Sequence, residues 1–243
     1  HDRFDFLIKQ VPEDWELLLH TPGFRPTPGK KTAYLTMWES TKLPAGCVEI
    51  LNAAKVIIVP SAFNAAAFSA QGVTAPMRIV PLGVTPAFQF RPSSAGEGPA
   101  RFGSAARGRH GGRKGLQETI NAFKLAFPNN PDVRLDIKCY PDDPKLQVDD
   151  DRVQVFAEFW PEERLAAWYS SLTAFVSLAR SGGWELMPHQ AMACGTPVIA
   201  ARWAGHAEYL TPQNGYCVPF RLVPAQNGYE GLWAEPSLEG AAI

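Results

Sequence analysis

Short apolar runs alternate with helical patterns along most of the chain. The run over residues 56–59 is apolar at consecutive positions, and two of the runs are closed by proline. Because such runs bury both faces, they indicate strands of a parallel sheet that is covered by helices on both sides. The predicted strands are 4–9, 32–37, 55–59, 77–80, 133–139, 153–156, 174–179 and 197–201. The predicted helices are 43–54, 62–71, 116–127, 161–171 and 188–194.

Local signals mark the ends of several predicted helices. Ser61 can cap the helix that follows it, and Gly72 can end that helix. Glu162 and Glu163 stand in the first turn of another helix, where they complement its dipole. Gly195 follows the helix over 188–194. These signals make the helix assignments firmer than periodicity alone would.

The alternation breaks once, over residues 84–100. This stretch is rich in Pro, Gly and Ser and is typical of a linker. We therefore predict two α/β units, with domains at residues 1–86 and 101–243 and a linker at 87–100. A loop rich in Gly and Arg is predicted over residues 103–115.

Composition excludes several classes of protein. Hydrophobic residues make up 46% of the 243 residues and charged residues 19%, which excludes a disordered chain. The net charge of −1 gives no indication of a nucleic-acid partner. No apolar run reaches the ~20 residues that cross a bilayer, and no signal peptide is seen, although the chain opens at His1. Four widely spaced cysteines without a CxxC pair are typical of reduced, buried thiols, so we expect a cytoplasmic protein.

Two loops carry the candidate chemistry, because ligands of open α/β sheets bind beyond the carboxyl ends of the strands. The loop over 103–115 combines glycines with four basic residues, which suits a diphosphate, or it is simply a solvated flexible loop. In the loop over 181–197, a glycine pair precedes a helix whose start favours anions. His189 and Gln190 lie in its first turn, where ordinary helix packing is the alternative. A third glycine turn spans 204–208.

These segments resemble the GT-B glycosyltransferases of the retaining group called family 4 or group 1. The resemblance covers roughly residues 32–235. It is carried most specifically by WELMPHQAMACGTPVIA at Trp184–Ala200. The supporting stretches are Thr36–Pro44, Leu51–Ser61, Gly72-Val73, Val80–Val84, Arg107, Lys114-Gly115, Ala204–Leu210 and Asn214-Gly215.

The resemblance implies two Rossmann-like domains, of which the C-terminal one binds a nucleotide sugar. Arg107 and Lys114 match the basic pair that holds the donor diphosphate, and such cations stabilise the charge of the leaving group. Phe159 and Trp160 match the turn whose backbone reads the base. The donor-binding residues so implied are Phe159, Trp160, Gly183, Trp184, Glu185, Met187, Pro188, His189 and Gln190. The family usually works without a metal, and we interpret Asp149-Asp150-Asp151 as a solvated loop that holds no ion.

Two positions depart from the family pattern. The family usually has two glutamates that align with Gly182 and Gln190 here. Gln190 can still hydrogen-bond the ribose, but without charge, and Gly182 has no side chain to contact the sugar. Glu185 stands where the family usually has glycine.

The chain is also shorter than usual for this family, and the resemblance makes its N-terminal domain incomplete. An open sheet edge there would favour association, so a homo-oligomer is one expectation. Glu39 follows a predicted strand with Trp38, and both would face the cleft. Glu39 is the candidate carboxylate on the acceptor side, or alternatively a structural acid.

Three functional hypotheses follow. The first is a glycosyltransferase that moves a sugar from a nucleotide sugar to a saccharide, lipid or protein acceptor with retention. The second is a catalytically impaired module that binds a nucleotide or nucleotide sugar. The third is an unrelated dinucleotide-binding protein, although no GxGxxG motif opens a helix after a strand.

Overall fold

The computed structural model describes residues 6–10, 31–92, 98–107 and 112–242, with the backbone alone for residues 6–10. The chain forms two compact units. The first contains the residues up to Leu82 together with Gly182–Trp184 and Pro224–Trp233. The second contains Gly83–Ser181, Glu185–Val223 and the residues from Ala234 onward. Each unit is an α/β layer structure around a parallel sheet, which confirms the predicted fold class.

The first unit is built on a four-stranded parallel sheet in the order β1-β2-β3-β4. Its strands are β1 (Phe6–Gln10), β2 (Lys31–Leu35), β3 (Val56–Val59) and β4 (Met77–Ile79). Its helices are α1 (Cys47–Asn52) and α2 (Ala62–Ala70). Ile57 of β3 lies opposite Met77 of β4, and Ile57 is fully buried together with Tyr34 and Phe68.

The second unit is built on a six-stranded parallel sheet in the order β10-β9-β8-β5-β6-β7. Its strands are β5 (Ala100–Ala105), β6 (Val133–Cys139), β7 (Val153–Ala157), β8 (Ala174–Ser177), β9 (Val198–Ala201) and β10 (Gly215–Val218). Its helices are α3 (Leu116–Ala126), α4 (Glu162–Ser170), α5 (Leu186–Ala193) and α6 (Leu238–Ala241), with a 3₁₀ helix at Ala204–Glu208. Strands β11 (Phe220–Pro224) and β12 (Leu232–Pro236) form a separate two-stranded sheet.

The predicted helix ends agree with the structure where the sequence carries a capping signal. The Ser61 hydroxyl accepts a hydrogen bond from the Asn64 backbone N–H, as an N-cap does. Gly72 and Gly195 follow their helices with φ of 92° and 91°, angles that glycine adopts without strain. Helix α5 begins at Leu186 rather than at Pro188, because proline is tolerated in a first turn whose N–H groups have no partner within the helix.

The loop predicted for Gly103–Ala105 is wrong, because these residues belong to β5. A Cβ atom at Gly103 would lie 2.4 Å from Leu172 and 2.7 Å from Trp168. Glycine therefore allows the close approach of these side chains to the strand, whereas in the sequence it suggested a break. Within the predicted linker, Phe88 is buried in the core of the second unit.

The remaining differences concern the C-terminal part of the chain, whereas the cysteines agree with the prediction. Strands β10, β11 and β12 were not predicted, because their short sequences carry several exposed residues and little alternation. All four cysteines are free, and Cys47, Cys139 and Cys194 are buried. Within the described residues, every helix is too short or too polar to cross a membrane.

Candidate functional site

The carboxyl ends of the six parallel strands of the second unit share one edge of the sheet, where ligands of such sheets bind. Arg107 follows β5, Tyr140 follows β6, and Trp160 follows β7. The loop that leads into α5 follows β8. The predicted site residues of the second unit therefore come from several strand ends of one sheet.

Lys114 lies in the loop between β5 and α3 and forms an ion pair with Glu185. Its Nζ donates a hydrogen bond of 2.6 Å to Glu185 Oε1. Both side chains are largely buried, with 18% of the lysine and 7% of the glutamate exposed. The pair joins the predicted diphosphate lysine to the residue directly before α5. Sequence reasoning named both residues, but it did not predict that they would bind each other.

Backbone and side-chain hydrogen bonds hold the Lys114 loop against the end of β8. The guanidinium of Arg113 donates to the Ser181 carbonyl at 2.9 Å, and the Arg180 backbone N–H donates to the Arg113 carbonyl at 2.8 Å. An open cavity of about 450 Å³ lies beside Lys114. Its volume is within the range of small-molecule sites. Its other lining residues are Gly112, Gly115, Leu116, Gln117, Glu118, Pro144, Lys145, Leu146 and Gln147.

The charge of Glu185 is set by opposing effects. Burial alone would raise the pKa of its carboxyl group, but the nearby charges of Lys114, His206 and Arg113 outweigh burial and lower it. The pKa of the buried His206 is lowered, chiefly by burial, even though Glu185 acts in the opposite direction. The surroundings of Glu185 therefore favour the ionised form of its carboxyl group, beside Lys114.

Glu185 has an unusual backbone conformation. Its φ of 69° and ψ of 80° lie in the left-handed half of the map, which a residue with a side chain enters at a cost. It is the N-cap of α5, but its side chain makes no capping hydrogen bond. The Tyr209 hydroxyl donates to its carbonyl oxygen at 2.8 Å. Contacts outside α5 therefore hold this residue in place.

The first turns of α5 are lined by aromatic contacts. The His189 ring stacks on Tyr209 with centroids 4.9 Å apart, and burial lowers the pKa of His189. The Tyr169 hydroxyl lies 3.3 Å from Gln190 Oε1 and 3.4 Å from Met187 Sδ. Pro188 is buried. Because Tyr169 contacts Gln190, the amide predicted to hold a ribose already has a protein neighbour.

Arg107 has a partner of its own. Its Nη2 donates to Asp142 Oδ2 at 3.0 Å, and its guanidinium lies 4.8 Å from the centre of the Tyr140 ring. This ion pair is exposed, with 39% of the arginine and 56% of the aspartate accessible. Both predicted diphosphate cations thus carry a carboxylate partner, one exposed and one buried. The neighbouring Arg109 lies outside the described residues.

The turn after β7 separates its two predicted residues. Phe159 is exposed, whereas Trp160 is buried in the core of the second unit. The Trp160 indole N–H donates to Glu158 Oε1 at 2.6 Å, and this hydrogen bond is the main reason that the pKa of Glu158 is lowered. A base-reading role for Trp160 would therefore have to come from its backbone, while the Phe159 ring is available at the surface.

A cation–aromatic cluster at the end of β6 was not predicted. Lys138 is buried, and its Nζ lies 4.5 Å from the Tyr140 ring centre and 5.7 Å from that of Trp160. Burial lowers the pKa of Lys138. Arg164 covers the Trp160 ring at 4.3 Å. In the sequence, Lys138 is one of three charged residues that alternate with apolar residues in this strand, so nothing distinguished it.

Three predicted residues belong to the first unit. A Cβ atom on Gly183 would lie 2.6 Å from Met37 of that unit, and Trp184 is buried. Glu39 is partly exposed, and its carbonyl oxygen accepts a hydrogen bond from the Trp233 indole. Trp38 is buried with its indole N–H bonded to the Lys42 carbonyl, so the prediction that its side chain faces a cleft is wrong.

The aspartate run at 149–151 is partly structural. Asp150 accepts hydrogen bonds from the Arg152 guanidinium, which lower its pKa to about 2. Asp149 pairs with Lys124 at the surface. The interpretation of this run as a solvated loop is therefore wrong for Asp150, which is largely buried. Among the described residues, no three His, Cys, Asp or Glu side chains are grouped so as to hold a metal ion.

The solved structures that match this chain include GT-B glycosyltransferases. The pneumococcal O-GlcNAc transferase GtfA, solved with UDP and GlcNAc, matches with a TM-score of 0.60 at 15% identity. TarM from S. aureus matches with a TM-score of 0.64 at 13% identity. The sucrose-phosphate synthase of Thermosynechococcus elongatus matches with a TM-score of 0.62 at 21% identity. Two parallel α/β units of this kind define the class as GT-B.

The chain belongs to the family described as glycosyl transferases group 1, whose model matches residues 101–227, just over half of the chain. The structural matches cover 79%, 88% and 84% of this chain, but only 42%, 44% and 57% of GtfA, TarM and the synthase. The chain thus spans about half the length of these proteins. No match was found among curated proteins.

Proposed function

We propose that this chain is the donor-binding part of a glycosyltransferase that transfers a sugar from a nucleotide sugar to an acceptor hydroxyl with retention. The observation that carries the proposal is the position of Lys114. Its ammonium lies beside the residue that precedes α5, at the edge of the sheet where ligands bind. A lysine and a helix N-terminus together favour a diphosphate.

In the proposed reaction, the bond between the sugar and the diphosphate breaks, and its electron pair leaves with the diphosphate. The acceptor oxygen forms the new bond to the same carbon, and its proton passes to the departing diphosphate. Arg107 and Lys114 would stabilise the charge that grows on the leaving group, which is the main electrostatic demand of this step. Two fixed cations and a helix dipole can meet this demand, so we propose that no metal is needed.

Other residues would position the donor. Gln190 would hold the ribose, and the Phe159–Trp160 turn would contact the base. The first turn of α5, with Met187, Pro188 and His189, would lie beneath the phosphates. In the first unit, Gly183 and Trp184 would contribute to the donor loop, and Glu39 is proposed for the acceptor side. The acceptor is a saccharide, lipid or protein, and we expect a cytoplasmic enzyme that forms a homo-oligomer.

The test is a thermal-shift panel with UDP, GDP, ADP, dTDP and NAD. UDP comes first because GtfA was solved with it. A nucleotide at 100 times its Kd stabilises the folded protein by about 2.7 kcal/mol, which raises the Tm measurably. We expect one nucleoside diphosphate to raise the Tm and Lys114→Ala to abolish that shift.

Lys124→Ala is the matched control, because Lys124 is also paired with a carboxylate but lies at the surface of α3. It should keep the full nucleotide shift. If NAD alone raised the Tm, the chain would be a dinucleotide-binding protein and the proposal would be wrong. Transfer with the matching nucleotide sugar, followed by NMR of the anomeric centre of the product, then tests retention.

A binding module without transfer activity is the second candidate. It is favoured by Gly182, which offers no side chain to a sugar, and by Gln190, whose amide oxygen lies next to the Tyr169 hydroxyl. A nucleotide-dependent Tm shift without transfer to any acceptor tested, including water, would favour this candidate over the enzyme.

A further inference from the structure

Glu185 places a negative charge where the proposed donor would place its own. Its carboxylate bonds Lys114 at 2.6 Å, and only 7% of its side chain is exposed. Solvent therefore weakens this pair less than an exposed one. By contrast, the Arg107–Asp142 pair is open to water, which screens it and lets an incoming anion replace the aspartate.

The backbone of Glu185 indicates that this contact is maintained against a local preference. At a φ of 69°, a residue with a side chain is strained and glycine is not. The carboxylate does not cap α5, so the first turn of that helix gains no hydrogen bond from it. The side-chain contact that the strained position secures is the bond to Lys114. The role of the Glu185 side chain is therefore tied to its contact with Lys114.

The charge on Glu185 persists at neutral pH, because the surrounding cations lower its pKa. The charge of Lys114 is thus balanced by this carboxylate in the structure. A diphosphate that binds Lys114 must either displace this carboxylate or remain close to it, and two anions on one ammonium repel each other.

We propose that Glu185 is an internal counter-ion that competes with the donor diphosphate for Lys114 and thereby sets the donor affinity. This inference rests on the proposed donor site. It makes Glu185 an affinity-determining residue whose removal improves binding, whereas removal of an ordinary contact residue weakens it.

The experiment measures the Kd of UDP and GDP by calorimetry for the wild type, Glu185→Gln and Glu185→Gly. Glu185→Gln removes the charge and keeps the backbone strain, whereas Glu185→Gly removes both. We expect both variants to bind the preferred nucleotide at least about tenfold more tightly, because the hydrogen bond between two charged groups no longer has to be broken. Two variants are used so that a folding defect in one leaves the other informative.

Glu235→Gln is the matched control. Glu235 is also a partly buried carboxylate of the second unit, but its cation is Arg180. The Glu235→Gln substitution removes the same charge from the second unit and should leave the Kd of the nucleotide within about twofold of the wild-type value. An equal gain in affinity from Glu235→Gln would mean that net charge, rather than the Lys114 contact, controls binding, and the inference would be overturned.

The remaining outcomes separate this inference from the proposed function. If the wild type binds and both Glu185 variants bind equally well or more weakly, Glu185 does not compete with the donor and only the inference fails. If the variants bind nucleotides and the wild type does not, the inference and the proposed function both stand. The Glu185 carboxylate then blocks nucleotide binding in the wild type. If folded wild type and folded variants all fail to bind nucleotides, the proposed function fails as well.

Discussion

Gly115 stands at the start of α3 with a φ of 64°, directly after Lys114. A Cβ atom at this position would lie 2.1 Å from the Leu178 carbonyl oxygen. The backbone of the Lys114 loop thus passes the residue after β8 at a distance that only glycine permits. The position of the lysine depends on this close approach, which no property of the lysine itself determines.

Gly115→Ala should destabilise the protein by about 2–5 kcal/mol, because positive φ and overpacking both oppose it. Gly112→Ala is the control, since Gly112 has a φ of 80° but, among the described residues, its Cβ would lie near the Arg180 guanidinium alone, at an ordinary contact distance of 3.6 Å. We expect about 1–2 kcal/mol for the control. Urea unfolding of both variants measures the difference. Equal losses would show that the clash with Leu178 is relieved by relaxation.

The candidate residues could be predicted from residue type, but their partners could not. Lys114 and Arg107 stand out as basic residues among glycines. Their partners Glu185 and Asp142 are 71 and 35 positions away along the chain. Because folding brings them together, no local pattern predicts either pair.

At the scale of elements, Arg180 joins three segments of the second unit. Its guanidinium bonds Glu118 of α3 and Glu235 of β12, and it also donates to the Gly112 carbonyl. The Ala234 backbone N–H donates to the Arg180 carbonyl at 3.0 Å. Only 17% of the arginine side chain is exposed. The residue therefore fastens the Lys114 loop, a helix and a strand to the end of β8.

Arg180→Met should cost about 3 kcal/mol, because it leaves two carboxylates close together without their cation. The expected signature is a lower urea midpoint together with weaker nucleotide binding, since the loop that carries Lys114 loses an anchor. Lys124→Ala, which removes an exposed cation from α3, should change the midpoint little. A midpoint for Arg180→Met equal to that of Lys124→Ala would contradict the prediction.

Elements with strong patterns were predicted and those with weak patterns were not. Strand β6 is reproduced to the residue, because the apolar residues of Val133–Cys139 alternate with Arg134, Asp136 and Lys138, which is the period-2 pattern of a strand. The start of β5 falls in the predicted linker, and its end falls in a predicted loop. The loop prediction fails because Gly103 is required by the close packing of Trp168 and Leu172 and not by a turn. Helix α5 begins two residues before its predicted start, because Pro188 favours the first turn of a helix.

At the scale of the whole molecule, two histidines whose pKa is lowered by burial make the free energy of unfolding depend on pH. Burial lowers the pKa of His206 and that of His189 in the folded protein. The unfolded chain, whose histidines titrate near pH 6.5, therefore binds more protons just below that pH. Stability should fall as the pH drops from about 6.5 and should level off below the folded pKa values. Asp150, with its pKa near 2, titrates far below this range.

His206→Gln should reduce this pH dependence. The free energy of unfolding is measured at pH 7.5 and 5.5, and the wild type should be less stable at pH 5.5. The difference should be smaller in the variant, because one of the two depressed histidines is gone, while His189 preserves part of it. A variant with an unchanged difference would contradict the role of His206, and a wild type that is more stable at pH 5.5 would reverse the sign of the argument.

Local patterns in the sequence are sufficient to predict the α/β class, the parallel strands and the types of residue at the candidate site. These depend on local periodicity and on chemistry that each residue carries wherever it stands. Three features become visible only in the tertiary structure: Lys114 forms an ion pair with a strained Glu185, Gly103 belongs to a strand, and Gly182–Trp184 belongs to the first unit. These features depend on contacts between distant segments, whose free energy exists only once the chain has folded.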